Sequence, residues 1–98
     1  GYDDIFSRQL QGLGREGDVL IGITTSGNSQ NVINAFKTAQ LKKMKTIGLL
    51  GKNGGIAIEC VDQSIVIPSD TTARIQEMHI LIGHIFCDLI EEALNLKY

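Results

Sequence analysis

Three short apolar runs constrain this chain more than any other feature: Val19-Leu20-Ile21-Gly22-Ile23, Thr46-Ile47-Gly48-Leu49-Leu50 and Ser64-Ile65-Val66-Ile67. A strand with one wet face alternates polar and apolar residues. These runs are nearly continuous, which is the pattern of strands buried on both faces in a parallel sheet. Helix-like periodicity surrounds them. Residues 3–13 read as a helix whose apolar positions are Ile5, Leu10 and Leu13, ended by Gly12 and Gly14. Residues 29–43 carry Val32, Ile33, Phe36 and Ala39, and residues 71–96 form a long last helix. Strands alternating with helices predict an α/β fold, a parallel sheet of about three strands flanked by helices with a long C-terminal helix. Asn53-Gly54 also suits a hairpin turn. Ala57, Glu59 and Cys60 are weak strand formers and another strand follows soon after, so a loop and short helix is the expectation there.

Ninety-eight residues make at most one domain, and 43% hydrophobic content suits a globular core. A formal net charge of −2 excludes a strong electrostatic case for nucleic acid. Lys42, Lys43 and Lys45 close a helix, where cations suit the dipole. Cys60 and Cys87 lack metal-site spacing and read as reduced core cysteines. No apolar run reaches the ~18 residues of a membrane span and no signal-peptide pattern is present, so the expected location is the cytoplasm. The chain starts Gly1-Tyr2-Asp3-Asp4 without an initiator methionine, and is expected to be a piece of something longer.

The first strand runs into a polar corner, Thr24-Thr25-Ser26-Gly27-Asn28-Ser29, and then into a helix. That order puts hydroxyls and free backbone N–H groups at the positive end of a helix dipole, where a phosphate can bind. One capping residue and one turn glycine would explain part of the cluster. Both readings stand at this level. In parallel sheets the loops at the carboxyl ends of the strands face the ligand. Here those loops read TTSGNS, GKNGG and PSDTTAR.

At ~100° per residue the last helix has three faces. Ile75, Met78, Ile82, Ile85, Phe86, Leu89, Ile90 and Ala93 form an expected core stripe, while Arg74, Glu77, Asp88 and Glu91 form a wet side. Between them Gln76, Ile80, Gly83, His84 and Cys87 make a strip that reads as covered. Polar groups there need partners. His84 is either a satisfied histidine at a helix or subunit contact, or it projects with Gln76 into a site. His79 sits at the margin of the core stripe and reads as structural.

GDVLIGITTSGNSQNVINAF, the GKNGG loop and ARIQEMHILIGHIFCDLIE together resemble the carboxyl-terminal half of the phosphoheptose isomerases, in the sugar isomerase (SIS) domain superfamily. The resemblance spans essentially the whole chain. It implies a flavodoxin-like SIS fold in which residues 1–98 are the carboxyl-terminal part of a single domain, a homotetramer with sites at subunit contacts, and one zinc ion per site. The implied reaction turns sedoheptulose 7-phosphate into D-glycero-D-manno-heptose 7-phosphate, toward activated heptose for bacterial lipopolysaccharide or capsule. Thr24, Thr25, Ser26 and Ser29 fall on the family's phosphate loop, with Thr24 where a serine is usual. Gln76 falls on a substrate- or zinc-contacting glutamine, and His84 on a catalytic histidine that is also a zinc ligand. Ala73 departs from an aspartate of some members, which removes one substrate-hydroxyl contact. The family's base is a glutamate outside these residues, so the 98-residue piece alone is expected to be inactive. Gln76 and His84 are eight residues apart, ~12 Å along a straight helix, and would share one ion only by leaning together. Two rival readings are non-enzymatic: a protein-binding branch of the superfamily and a sugar-phosphate-sensing regulator. The protein-binding branch has an arginine in place of Ser26 and no histidine matching His84.

Overall fold

The computed structural model describes residues 4–94. Helix α1 (Ile5–Leu13) leads to strand β1 (Val19–Thr24), helix α2 (Gln30–Leu41) and strand β2 (Lys45–Gly51). A 3-10 turn, Ile56–Glu59, precedes strand β3 (Gln63–Ile67) and helix α3 (Thr72–Ala93). The loop-and-short-helix expectation around Asn53-Gly54 therefore holds over the hairpin. The sheet order is β1-β2-β3 and both pairings are parallel, with Ile21 opposite Ile47 and Leu49 opposite Ile65. All three strands thus deliver their carboxyl ends, and the loops that follow, to one edge.

Alternation along the strands decides which helix each residue meets. On one face Gly22 leaves room for the Phe36 ring, which lies directly against the β1 backbone. Ile33, Phe36, Leu50 and Ala57 are the centre of this core, with Leu20, Val32, Cys60, Val61 and Val66 around them. One residue beyond Leu50 the side chain direction reverses. A Cβ on Gly51 would stand 2.6 Å from Ile75 Cδ1, so Ile75 of α3 packs on the backbone of β2 from the opposite face. His79, one helical turn further on, is 3% exposed and lies 2.7 Å from the Leu50 carbonyl oxygen through Nε2. A carbonyl only accepts, so Nε2 carries the proton and donates.

The expected core stripe of α3 needs correction. Ile75 is buried, but Ile82 and Phe86 are half-buried, and Met78, Ile85, Leu89, Ile90 and Ala93 are exposed. The strip read as covered is open as well: Gln76, Ile80, His84 and Cys87 are exposed, which also moves Cys87 out of the core. On β1, Val19, Ile21 and Ile23 face the same open side. Among the described residues α3 meets the sheet chiefly at β2, and most side chains of its later turns are exposed. Periodicity shows which residues share a face; it cannot say whether that face has a partner.

The opposite end of the sheet is tied by short polar contacts. Asp62 accepts from the Thr46 N–H (2.8 Å) and hydroxyl (3.1 Å) through one carboxylate oxygen, and its own N–H donates to Thr46 Oγ1 at 2.9 Å. The backbone and then the side-chain bond from Thr46, with the charge of Lys45 adding to them, hold the Asp62 carboxyl below the usual aspartate range. Helix α2 ends with Met44 N–H on the Ala39 carbonyl (2.9 Å) and Lys43 N–H on the Gln40 carbonyl (3.0 Å), a Schellman closure. The left-handed position of that closure, usually glycine, is held by Lys43 at φ 59°. Helix α1 is capped from a distance: Phe6 N–H donates to Asn31 Oδ1 at 3.3 Å, and Lys42 Nζ donates to the Gln11 carbonyl at 2.8 Å.

Candidate functional site

The polar corner after β1 is shaped by bonds among its own groups and those of a second loop. Asn28 N–H donates to Ser26 Oγ (3.0 Å), and Asn28 Oδ1 accepts from Ile56 N–H (3.0 Å). Ser29 takes the N-cap backbone position of α2, and its carbonyl accepts from Ile33 N–H at 2.9 Å, but no side chain caps the helix. The cap reading of the sequence therefore covers the backbone turn only. The dipole end of a 12-residue helix is left to solvent or to an anion.

A second loop locks this corner. Gly54 N–H closes a tight turn onto the Gly51 carbonyl (2.9 Å), and Gly55 N–H donates to Asn53 Oδ1 (3.0 Å). Gly27 has φ +72° and faces the Gly54 carbonyl so closely that a Cβ would collide with it. From the other side a Cβ on Gly55 would stand 2.6 Å from the Ser26 carbonyl oxygen. Ala57 N–H completes the contact by donating to the Gly27 carbonyl at 2.9 Å. Two glycine-bearing loops thus lie backbone to backbone, which no side chain at 27 or 55 would permit.

The third loop comes over the same edge. Ser69 N–H returns to the Ile67 carbonyl (2.8 Å) and Thr71 N–H donates to Ser69 Oγ (3.1 Å) just before α3. Between the three loops lies an open polar cleft of about 460 Å³ lined by Ser26, Asn28, Lys52, Asn53, Pro68 and Asp70. This is the meeting of loops that a parallel sheet predicts. A separate hollow of about 440 Å³ is apolar, runs between α1 and β1 past Phe6, Leu10, Ile21 and Val32, and carries no comparable chemistry.

The six residues expected in a site fall into two groups. Thr24 is buried, Thr25, Ser26 and Ser29 are half-buried on the corner, and Ser26 lines the cleft. Gln76 and His84 are exposed on α3 and are not among the residues lining it. Lys52, Asn53 and Asp70 were missed as individual residues, although the loops that hold them stood out in the sequence. His79 is the link between α3 and the cleft, since it anchors the helix to the carbonyl just before Gly51 and Lys52. Its Nδ1 is buried and has no hydrogen-bond partner among the described residues.

Residues 1–51 match the family model described as SIS domain. The chain belongs to the SIS-domain family. Among the relatives of this SIS domain, a protein of Sulfurimonas denitrificans named phosphoheptose isomerase is 58% identical over 92 residues, covering 94% of this chain and 47% of the relative. One of the same name from Helicobacter pylori is 53% identical over 91 residues. The solved phosphoheptose isomerase of Neisseria gonorrhoeae superposes with a TM-score of 0.89 at 49% identity, covering 92% of this chain and 51% of that one. The phosphoheptose isomerase of Francisella tularensis gives 0.90 at 42% identity. The chain spans about half the length of the curated relatives it matches. Its three parallel strands, flanking helices and long last helix are the SIS architecture expected from the sequence. Among the described residues no helix is long and apolar enough to cross a membrane.

Zinc was expected at Gln76 and His84. Among the described residues no three of His, Cys, Asp or Glu come together in a way that could hold a metal ion. Catalytic zinc takes three protein ligands and structural zinc four. Gln76 and His84, two donors spaced along one helix, do not by themselves make that set.

Proposed function

We propose that the protein carrying this chain is a phosphoheptose isomerase, converting sedoheptulose 7-phosphate to D-glycero-D-manno-heptose 7-phosphate. What carries the reading is 58% identity over 92 residues to a relative of that name, in a chain whose phosphate corner keeps its hydroxyls and its uncapped helix start. The isomerase names of the relatives also favour this reading over the protein-binding and sugar-sensing ones. In it, Thr24, Thr25, Ser26 and Ser29 take the phosphate with the first N–H groups of α2, and Gln76 takes a substrate hydroxyl or the carbonyl.

The reaction moves a proton from C1 to C2 through an enediol. A base removes the C1 proton as the C2 carbonyl oxygen gains one. The O1 proton is then given up, and C2 is reprotonated to leave an aldehyde at C1. His84 is the oxygen-side acid–base group in this proposal, because an imidazole can both give and take a proton. The carbon base comes from residues outside this chain, as does the rest of any zinc site that Gln76 and His84 join; bound metal per subunit tests the latter. Assembly as a homotetramer, a cytoplasmic location and a role in heptose for surface polysaccharide belong to the same proposal.

The test is aldose formation from sedoheptulose 7-phosphate by the protein that carries this chain. Ser26→Ala should weaken sugar-phosphate binding by ~1–3 kcal/mol in calorimetry, the range for a hydrogen bond to a charged group. No aldose from the parent protein ends the enzymatic reading, and unchanged affinity in Ser26→Ala ends the phosphate assignment.

A further inference from the structure

Among the described residues two other than glycine adopt left-handed backbone, Lys43 at φ 59° and Lys52 at φ 54°, and they stand just outside the two ends of β2. Lys43 closes α2. Lys52 sits at the first corner of the turn Gly51–Gly54, a position that favours glycine, which has no Cβ, and tolerates asparagine or aspartate. Its side chain belongs to the polar cleft, and Lys52 is the cation among the residues that line it.

We propose that Lys52 is a specificity residue of the phosphate corner, an ammonium that admits doubly charged phosphate esters to the cleft. The proposal rests on the phosphate reading above and adds a residue from a different loop. Charge is the first argument. Asp70 lines the same cleft. Without Lys52 the lining would carry a single negative charge and face a dianion, so like-charge repulsion would oppose the ligand that the hydroxyls and N–H groups are built to hold. With Lys52 the lining is neutral before binding, and the incoming phosphate meets a cation opposite Ser26. The second argument is rigidity. The stacking of Gly27 on Gly54, the Asn28–Ile56 bond and the Gly27–Ala57 bond fasten the Lys52 turn to the serine corner. An ammonium whose backbone is already fixed loses less freedom on binding than one on a mobile loop.

The experiment uses the protein that carries this chain, with inorganic phosphate as competitive probe and sedoheptulose 7-phosphate as substrate. Lys52→Gln removes the charge, while Lys52→Gly removes it and also suits the left-handed turn, so at least one variant keeps the fold. Both should raise the inhibition constant of phosphate and the KM by about 5- to 10-fold, the scale of a partly exposed charge contact, with the loss in KM rather than kcat. The salt dependence of kcat/KM should flatten in both, and Lys52→Arg should restore affinity. Lys43→Gly relieves the same kind of strain at the other end of β2 and should leave phosphate inhibition alone. Phosphate inhibition unchanged in both Lys52 variants, while Ser26→Ala weakens it, overturns the role of Lys52 and leaves the corner standing. If Ser26→Ala is also without effect, the phosphate reading falls and takes this proposal with it.

Discussion

Helices α2 and α3 lie on opposite faces of the same sheet, and their sequences look equally amphipathic, yet only one has its apolar face filled. On α2, Ile33, Ala35, Phe36 and Ala39 are all buried, Ile33 and Phe36 in one core with Leu50 and Ala57, and the helix also packs against α1. On α3, at 22 residues against 12, only Ile75 and His79 are buried, and Leu89 is 56% exposed. The difference is not one of composition. Helix α2 follows β1 through a short turn and leads into β2, so the chain itself folds it down over the pair. Helix α3 is fixed at its start by Ile75 and His79, and neither Gln76 nor His84 is among the residues that line the cleft. One helix is committed to stability within this chain. The other offers a side for chemistry or association.

Four measurements would break or sharpen that contrast. The largest effect belongs to α3. His84→Gln in the protein that carries this chain should lower turnover by ~10²–10⁴-fold, the range for a lost acid–base group. Its melting midpoint should stay close to the parent's, because His84 is exposed and glutamine is tolerated there. Parent-rate turnover from a folded variant would remove chemistry from this helix. On the α2 side the loss should be in stability instead. Phe36→Ala empties a fully buried position over Gly22 and should cost ~3–5 kcal/mol in denaturant unfolding.

A smaller effect is expected at the end of the sheet away from the cleft. The Asp62 carboxyl is held below its ordinary range when folded, so it stabilises the fold at neutral pH. That contribution is complete above the unfolded value of about 4 and is lost as pH falls through the lower folded value. Unfolding midpoints of the parent and Asp62→Asn should therefore differ at pH 7 and converge on acidification below about pH 4. Parallel curves down to pH 2 would contradict the clamp. The smallest effect should be Leu89→Ser, which in the 98-residue chain should shift stability by less than ~0.5 kcal/mol. A drop as large as that of Phe36→Ala would show that this part of α3 is covered in solution, and the contrast between the helices would disappear.

Much of the fold could be read from local pattern, because strand and helix formation depend on residue order over a few positions. The three apolar runs became the three strands. The expected helices over 29–43 and 71–96 shortened to 30–41 and 72–93, with residues 95 and 96 of the latter outside the described part, as is residue 3 of the first helix. Parallel pairing then followed from strand–helix alternation. Ser26 and its neighbours stood out for the same reason, since strand, polar turn and helix start are consecutive in the chain.

What tertiary structure alone decided depends on residues far apart in sequence. Asn28 bonds to Ile56, Asn31 caps α1 through Phe6, and His79 reaches Leu50, separations of 28, 25 and 29 positions. Lys52 and Asp70 share the cleft with Ser26 only because parallel register brings all three strand ends to one edge. The left-handed positions at Lys43 and Lys52 are not glycines, so residue type does not announce them; the hydrogen bonds around them go with the conformation. The periodicity of α3 carried no signal that its face is open, although a chain reading as half a domain leads one to expect an uncovered face. An apolar stripe records that a helix has a face to bury, and burial itself is a property of whatever packs against it.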